Sequence, residues 1–225
     1  MRQRVWLVWA VLYAGPAWAQ VSGSVAVVSD YRYRGASLSD GDPAAQLAVA
    51  WDGEGWYAGA LLSQVHFAGE HGIQALPYLG YARTLRPGLA AEAGVQYAWF
   101  SGLQEYRYAE GYVGLSSEHL HARLFRAPDY YGMGGAWYVE LGGSRPLGDR
   151  LRLVGHLGVL QSREGRAEES GWRHDAAVGL GAALPHAVDL QLTWTVGSAE
   201  GAGGYCAPWD CGANQAWVLR LAKGW

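Results

Sequence analysis

Within otherwise apolar runs of this 225-residue chain, ionisable side chains stand at alternate positions, so that carboxylates and guanidinium groups can share one surface. Glu92, Glu110, Glu140, Asp175 and Asp189 supply negative charge and Arg123, Arg152 and Arg220 positive charge. Asp30, Arg32 and Arg34 alternate along one stretch, and Tyr112, Tyr138 and His156 occupy equivalent places. Opposed charges on one enclosed surface can set a field across a passage, as rings of charge do in selective pores. They can equally pair across neighbouring segments and fill the space between them. Glu110 with Arg123, and Arg220 with Asp30, are candidate pairs of the second kind, each worth some tenths of a kcal/mol if wet. Acidic and basic members nearly balance, so no ion preference follows.

Other reactive groups are sparse. Cys206 and Cys211 share a Gly-rich stretch with no His, a spacing that fits no zinc pattern and favours a disulfide worth about 2 kcal/mol. His66 and His71 lie near Glu70 and could seat a metal or titrate near neutral pH, but a solvated surface pair is the simpler expectation. The Gly-x-Ser-x-Gly elbow of hydrolases is absent. Ser22-Gly23-Ser24 and Ser101-Gly102 have turn or strand-start composition. No catalytic residue, metal site or cofactor is expected.

The elements that must position the charged set are strands. Leu89, Ala91, Ala93, Val95, Tyr97 and Trp99 fall on one face and Ala90, Glu92, Gly94, Gln96 and Ala98 on the other, a period of two. Val188, Leu190, Leu192, Trp194 and Val196 repeat the pattern, as do Trp217, Leu219 and Leu221. Turn signals between such runs predict twelve strands, over 22–34, 43–51, 55–67, 73–84, 89–100, 105–116, 119–128, 135–145, 151–161, 171–184, 187–197 and 213–225. Tight turns such as Asp52-Gly53-Glu54-Gly55 and Leu85-Arg86-Pro87-Gly88 alternate with longer connections, among them 35–42, 162–170 and 198–212.

Arg2 and Arg4, the apolar stretch Val5 to Ala14 and Ala17-Trp18-Ala19 read as a secretory signal, giving a signal peptide over 1–19 and one domain over 20–225. Losing Arg2 and Arg4 takes the formal charge from -3 to -5, and no basic stripe suggests nucleic acid. The chain has 12 Trp and 14 Tyr against 3 Phe, a preference for rings that sit at membrane interfaces. Those rings cluster toward strand ends, as at Trp51, Trp56, Tyr97, Trp99, Trp137, Trp217 and Trp225. A soluble sandwich or lipocalin-like barrel should carry Lys, Glu and Thr outside, yet the polar-side positions here are mostly Gly and Ala. Even strand number and short turns at one end predict a single closed antiparallel transmembrane barrel with both termini on the periplasmic side. Open edges in hydrocarbon would strand peptide groups, so the first strand must pair with the last. A charge on the lipid face near the midplane costs about 2–4 kcal/mol, which assigns the charged set to the lumen.

Ser29-Asp30-Tyr31-Arg32-Tyr33-Arg34-Gly35, followed by Ser37, Ser39 and Pro43-Ala44, resembles the opening of the TorF family of proteobacterial porins. Ala127-Pro128-Asp129-Tyr130-Tyr131-Gly132 is similar to that family's mid-chain signature, and Cys206 and Cys211 precede the terminal strand as they often do there. Gln74 and Leu76 depart from the pattern, since relatives commonly place acidic residues there. The resemblance implies an outer-membrane barrel of poorly defined physiology.

The expected function is therefore a channel for small solutes with no covalent chemistry. A plugged barrel whose outer loops bind a partner is the alternative, and a lipid-modifying enzyme a third. Expected partners are outer-membrane lipid, an unidentified solute and the insertion machinery, which would read Leu219, Leu221 and the terminal Trp225.

Overall fold

The computed structural model describes residues 20–67, 69–163, 170–197 and 215–225. The expected signal, both cysteines and most of the two longest connections lie outside these residues. Among the described residues, β1 (Gln20–Val28), β4 (Ala44–Gly53), β5 (Trp56–Phe67), β6 (Glu70–Arg86), β7 (Leu89–Phe100), β8 (Tyr108–Ser116), β9 (Leu120–Ala127), β10 (Ala136–Pro146), β11 (Leu151–Arg163), β12 (Ser170–Leu184), β13 (Val188–Gly197) and β14 (Gln215–Gly224) form a closed antiparallel barrel of twelve strands. Two short strands, β2 (Arg32–Tyr33) and β3 (Ala36–Ser37), make a separate hairpin.

Closure follows from the alternation. Val21, Val25 and Val27 point outward from β1, while Ser24, Ala26 and Val28 point inward and are buried. β1 pairs with β4 on one side and with β14 on the other, from Ser24 opposite Gly224 to Val28 opposite Arg220, so no strand edge remains open. Trp225 reinforces this seam: its backbone exchanges hydrogen bonds with Gly23, and its ring covers the place a Gly23 Cβ would occupy. The exposed outer surface is apolar, from Val95 and Leu157 to Trp217. No described helix is long and apolar enough to cross a membrane.

The barrel has unequal ends. At the turn end, two-residue connections such as Glu54-Gly55, both at positive φ, match the twist of the flanking strands. At the loop end the first connection departs from expectation. The predicted strand over 22–34 stops at Val28, and the chain turns into the lumen. Arg34 (φ 52°) and Gly35 (φ 80°) form the tight turn between β2 and β3. Gly35 is required there twice over, because a Cβ would sit 2.7 Å from Cβ of Asp175 on β12 and its φ disfavours any side chain. The hairpin therefore reaches from its base at β1 and β4 to the β12–β13 wall.

Candidate functional site

The loop-end half of the lumen is a dry core. Phe100, Tyr108, Phe125, Tyr138 and Leu160 point inward from the wall and meet Tyr31, Leu38, Tyr130 and Tyr131 from the inward-folded connections. Rings of Tyr108, Tyr130 and Tyr131 lie 4.7–4.8 Å apart, in the range of favourable aromatic pairs. Burial raises the Tyr31 and Tyr131 hydroxyls above the usual phenol range, so both stay neutral.

Asp30 organises the base of the hairpin. Its carboxylate accepts hydrogen bonds from Arg32 Nε and Ser37 Oγ, each at 2.6 Å. Ser39 Oγ accepts the Tyr31 amide proton and donates to the Asp42 carbonyl. Tyr31 Oη donates to Gln74 Oε1 on β6 at 2.6 Å, and the His66 amide on β5 donates to the Leu38 carbonyl, so both limbs are tied to the wall.

Arg34, at the tip, donates from both terminal nitrogens to the two oxygens of Glu110 on β8, at 2.8 and 2.7 Å. The pair is almost fully enclosed, with side chains 5% and 2% exposed. Gln96 Nε2 donates to the same carboxylate and to Tyr33 Oη. The guanidinium lies 4.2 Å from the Tyr138 ring centre and 5.0 Å from that of Phe125. A charge in so dry a place is tolerable only when paired, and here the pairing fastens the hairpin to the opposite wall.

Toward the turn end the lumen becomes polar. Tyr138 Oη, His156 Nε2 and Asp175 form a triangle of hydrogen bonds of 2.7–3.2 Å. On the β5–β10 wall, Arg123 Nε donates to Glu92 at 2.7 Å, Tyr57 Oη donates to the same carboxylate, and Tyr112 bonds Tyr57. Glu140 lies 3.8 Å from Arg123 and 3.7 Å from His121. On the facing wall, Arg152 lies flat over Gly181 and donates to both oxygens of Asp189, at 2.7 and 2.9 Å. Arg220 approaches Asp189 only to 3.9 Å.

The charged set thus faces inward, but by partnerships other than those expected. Arg123 sits opposite Gly114 in the β8–β9 register, beside Glu92 rather than Glu110, whose carboxylate is taken by Arg34. Asp30 is bound within the hairpin, and the carboxylate beside Arg220 is Asp189. Asp30, Arg32 and Arg34 reach the lumen from the folded-in hairpin instead of a strand of the barrel wall. Leu219, Leu221 and Trp225 are exposed on the outer face. His66 and His71 stack at 3.9 Å at the loop end, and no group of three metal-binding side chains occurs among the described residues. The aromatic stopper was missed, although Phe100, Phe125 and Leu160, apolar on the charged face, signal a filled lumen.

Residues 14–224 match the family described as "Bacterial protein of unknown function (Gcw_chp)". No curated protein matches the chain. A solved NanC porin is similar, with a TM-score of 0.57 at 12% identity, over 90% of this chain and 98% of the porin. A structure from work on in-meso crystallization of membrane proteins also has a TM-score of 0.57, at 10% identity, over 91% of this chain and 83% of the other. These likenesses concern the fold, that of an outer-membrane porin barrel.

Proposed function

Since the chain belongs to the bacterial family Gcw_chp, whose function is unknown, we propose that it is an outer-membrane conduit for small solutes, held shut by its own first loop. The observation that carries this reading is the Arg34–Glu110 bridge, which fastens an inward-folded hairpin across the dry half of an otherwise polar lumen. The resemblance of Ser29 to Gly35 to the TorF porins and the porin-type fold support the same reading. The loop end faces the outside and the turn end, with both termini, faces the periplasm. Export removes residues 1–19, and Cys206 pairs with Cys211 in the oxidising periplasm. The reading includes no covalent chemistry.

A permanently filled barrel that offers its loops to a partner is the second reading, favoured by the completeness of the aromatic core, where Phe100 is wholly buried. Planar-bilayer recording separates the two. Wild-type protein should be nearly silent, and replacing residues 30–41 by a short Gly-Ser linker should produce discrete conductance steps. Silence from that variant, shown to be folded by its heat-modifiable migration on gels, would leave the filled barrel standing and remove the conduit.

A further inference from the structure

Among the described residues, Arg220 is held more loosely than the arginines around it. Arg32 has Asp30, Arg34 has Glu110, Arg123 has Glu92 and Arg152 has Asp189, each within 2.7 Å. At 3.9 Å from a carboxylate that already accepts two bonds from Arg152, Arg220 is beyond hydrogen-bond reach. Gln191, opposite Arg220 in the β13–β14 register, turns its oxygen toward Arg152 and donates its amide to Thr193. Neighbouring Arg152, itself more than nine-tenths buried, has an Nε with no acceptor. A guanidinium carries five N–H donors, so both side chains keep donors that no protein acceptor takes.

The geometry points to a carboxylate-binding site here, in which Arg220 holds the anion. The flanking inner positions are apolar: Val218 and Ala222 lie on either side of Arg220 along β14, and Val28 faces it from β1. These surroundings fit a short hydrocarbon body behind the carboxylate better than a bare inorganic ion. Arg220 is 29% exposed, in keeping with water access below the stopper. Asp189 is the built-in competitor, holding Arg152 and repelling an incoming anion. The site rests on the reading of the lumen as a conduit, and gives it a solute class: small monocarboxylates.

The test is calorimetric titration of the detergent-solubilised full chain with sodium butyrate against sodium chloride at equal ionic strength. Saturable butyrate binding is expected, weakened by at least about tenfold in Arg220→Gln, since a charge-assisted bond is lost. It should tighten in Asp189→Asn, which removes the competing carboxylate. Absence of binding to wild type, or equal binding by Arg220→Gln, overturns the site. If Arg220→Gln fails to fold, an unchanged affinity in Asp189→Asn overturns it instead. Failure of the conduit reading shows differently: the hairpin-excised barrel would pass no current while butyrate still bound. Conductance without Arg220-dependent block by butyrate would sink the carboxylate site alone.

Discussion

Replacing Glu110 by Gln should release the hairpin. The substitution keeps the shape of the side chain but leaves the Arg34 cation in a layer of Tyr33, Phe125, Tyr130 and Tyr138 rings, with side-chain exposure of only 5%. Removing one partner of a buried ion pair costs about 3–5 kcal/mol, because the remaining charge is desolvated without compensation. The undocked hairpin, free to hydrate Arg34, escapes that penalty. At 1.4 kcal/mol per tenfold, the population with the hairpin undocked should rise by about two to three and a half powers of ten. Bilayer recordings should show this as openings that wild type lacks. Arg34→Met combined with Glu110→Met removes both charges and fills the same volume, and buried pairs so replaced are often neutral or stabilising. That double variant should be as quiet as wild type. Equal silence from Glu110→Gln, or openings as frequent in the double variant as in the single one, would refute the reasoning that an unpaired charge drives release.

Gly35→Ala should also raise opening, and more than Gly41→Ala in the same recordings. Both positions have φ near +80°, but a Cβ at Gly35 meets Asp175 whereas one at Gly41 meets nothing within 4 Å. The excess of the first over the second measures the wall contact beyond the shared left-handed penalty of about 1–2 kcal/mol. Val95→Arg, on the outer face midway along β7, should destabilise the barrel by about 2–4 kcal/mol in equilibrium folding into lipid vesicles, and an unchanged stability would mean that this face does not meet lipid. Trp225→Ala should delay appearance of the folded, heat-modifiable band during assembly, since the ring and backbone of Trp225 close the seam against Gly23.

The barrel wall was readable in the sequence because its physical signal is local. Leu89 to Trp99 alternates without interruption, and the structure has β7 over Leu89–Phe100. Glu54-Gly55 likewise carried its turn in its own residue types. The hairpin was not readable for an equally physical reason. Asp30, Tyr31, Arg32, Tyr33 and Arg34 continue the period of β1, so periodicity alone extends the strand past Val28, and Arg is an unusual residue at positive φ. Only the tertiary environment, a carboxylate at Glu110 and a ring at Tyr138, compensates Arg34 for that conformation. Partner identities in the lumen failed similarly. Whether Arg123 meets Glu92 or Glu110 depends on β8–β9 register, which the turn closed by Ser117 and Leu120 sets with Gly114 opposite Arg123, in one row with Glu92.

Hydrogen exchange of the first loop tests most directly whether that loop lies inside the barrel. The amides of Tyr31 and Leu38 are bonded at 2.8 and 2.7 Å within the buried hairpin base. With the hairpin docked, both amides should exchange as slowly as strand amides such as that of Val95, and Glu110→Gln should speed them selectively. Exchange of both within seconds in the wild-type protein, at the rate of an exposed turn amide such as that of Gly148, would mean that the loop lies outside and the lumen has no stopper.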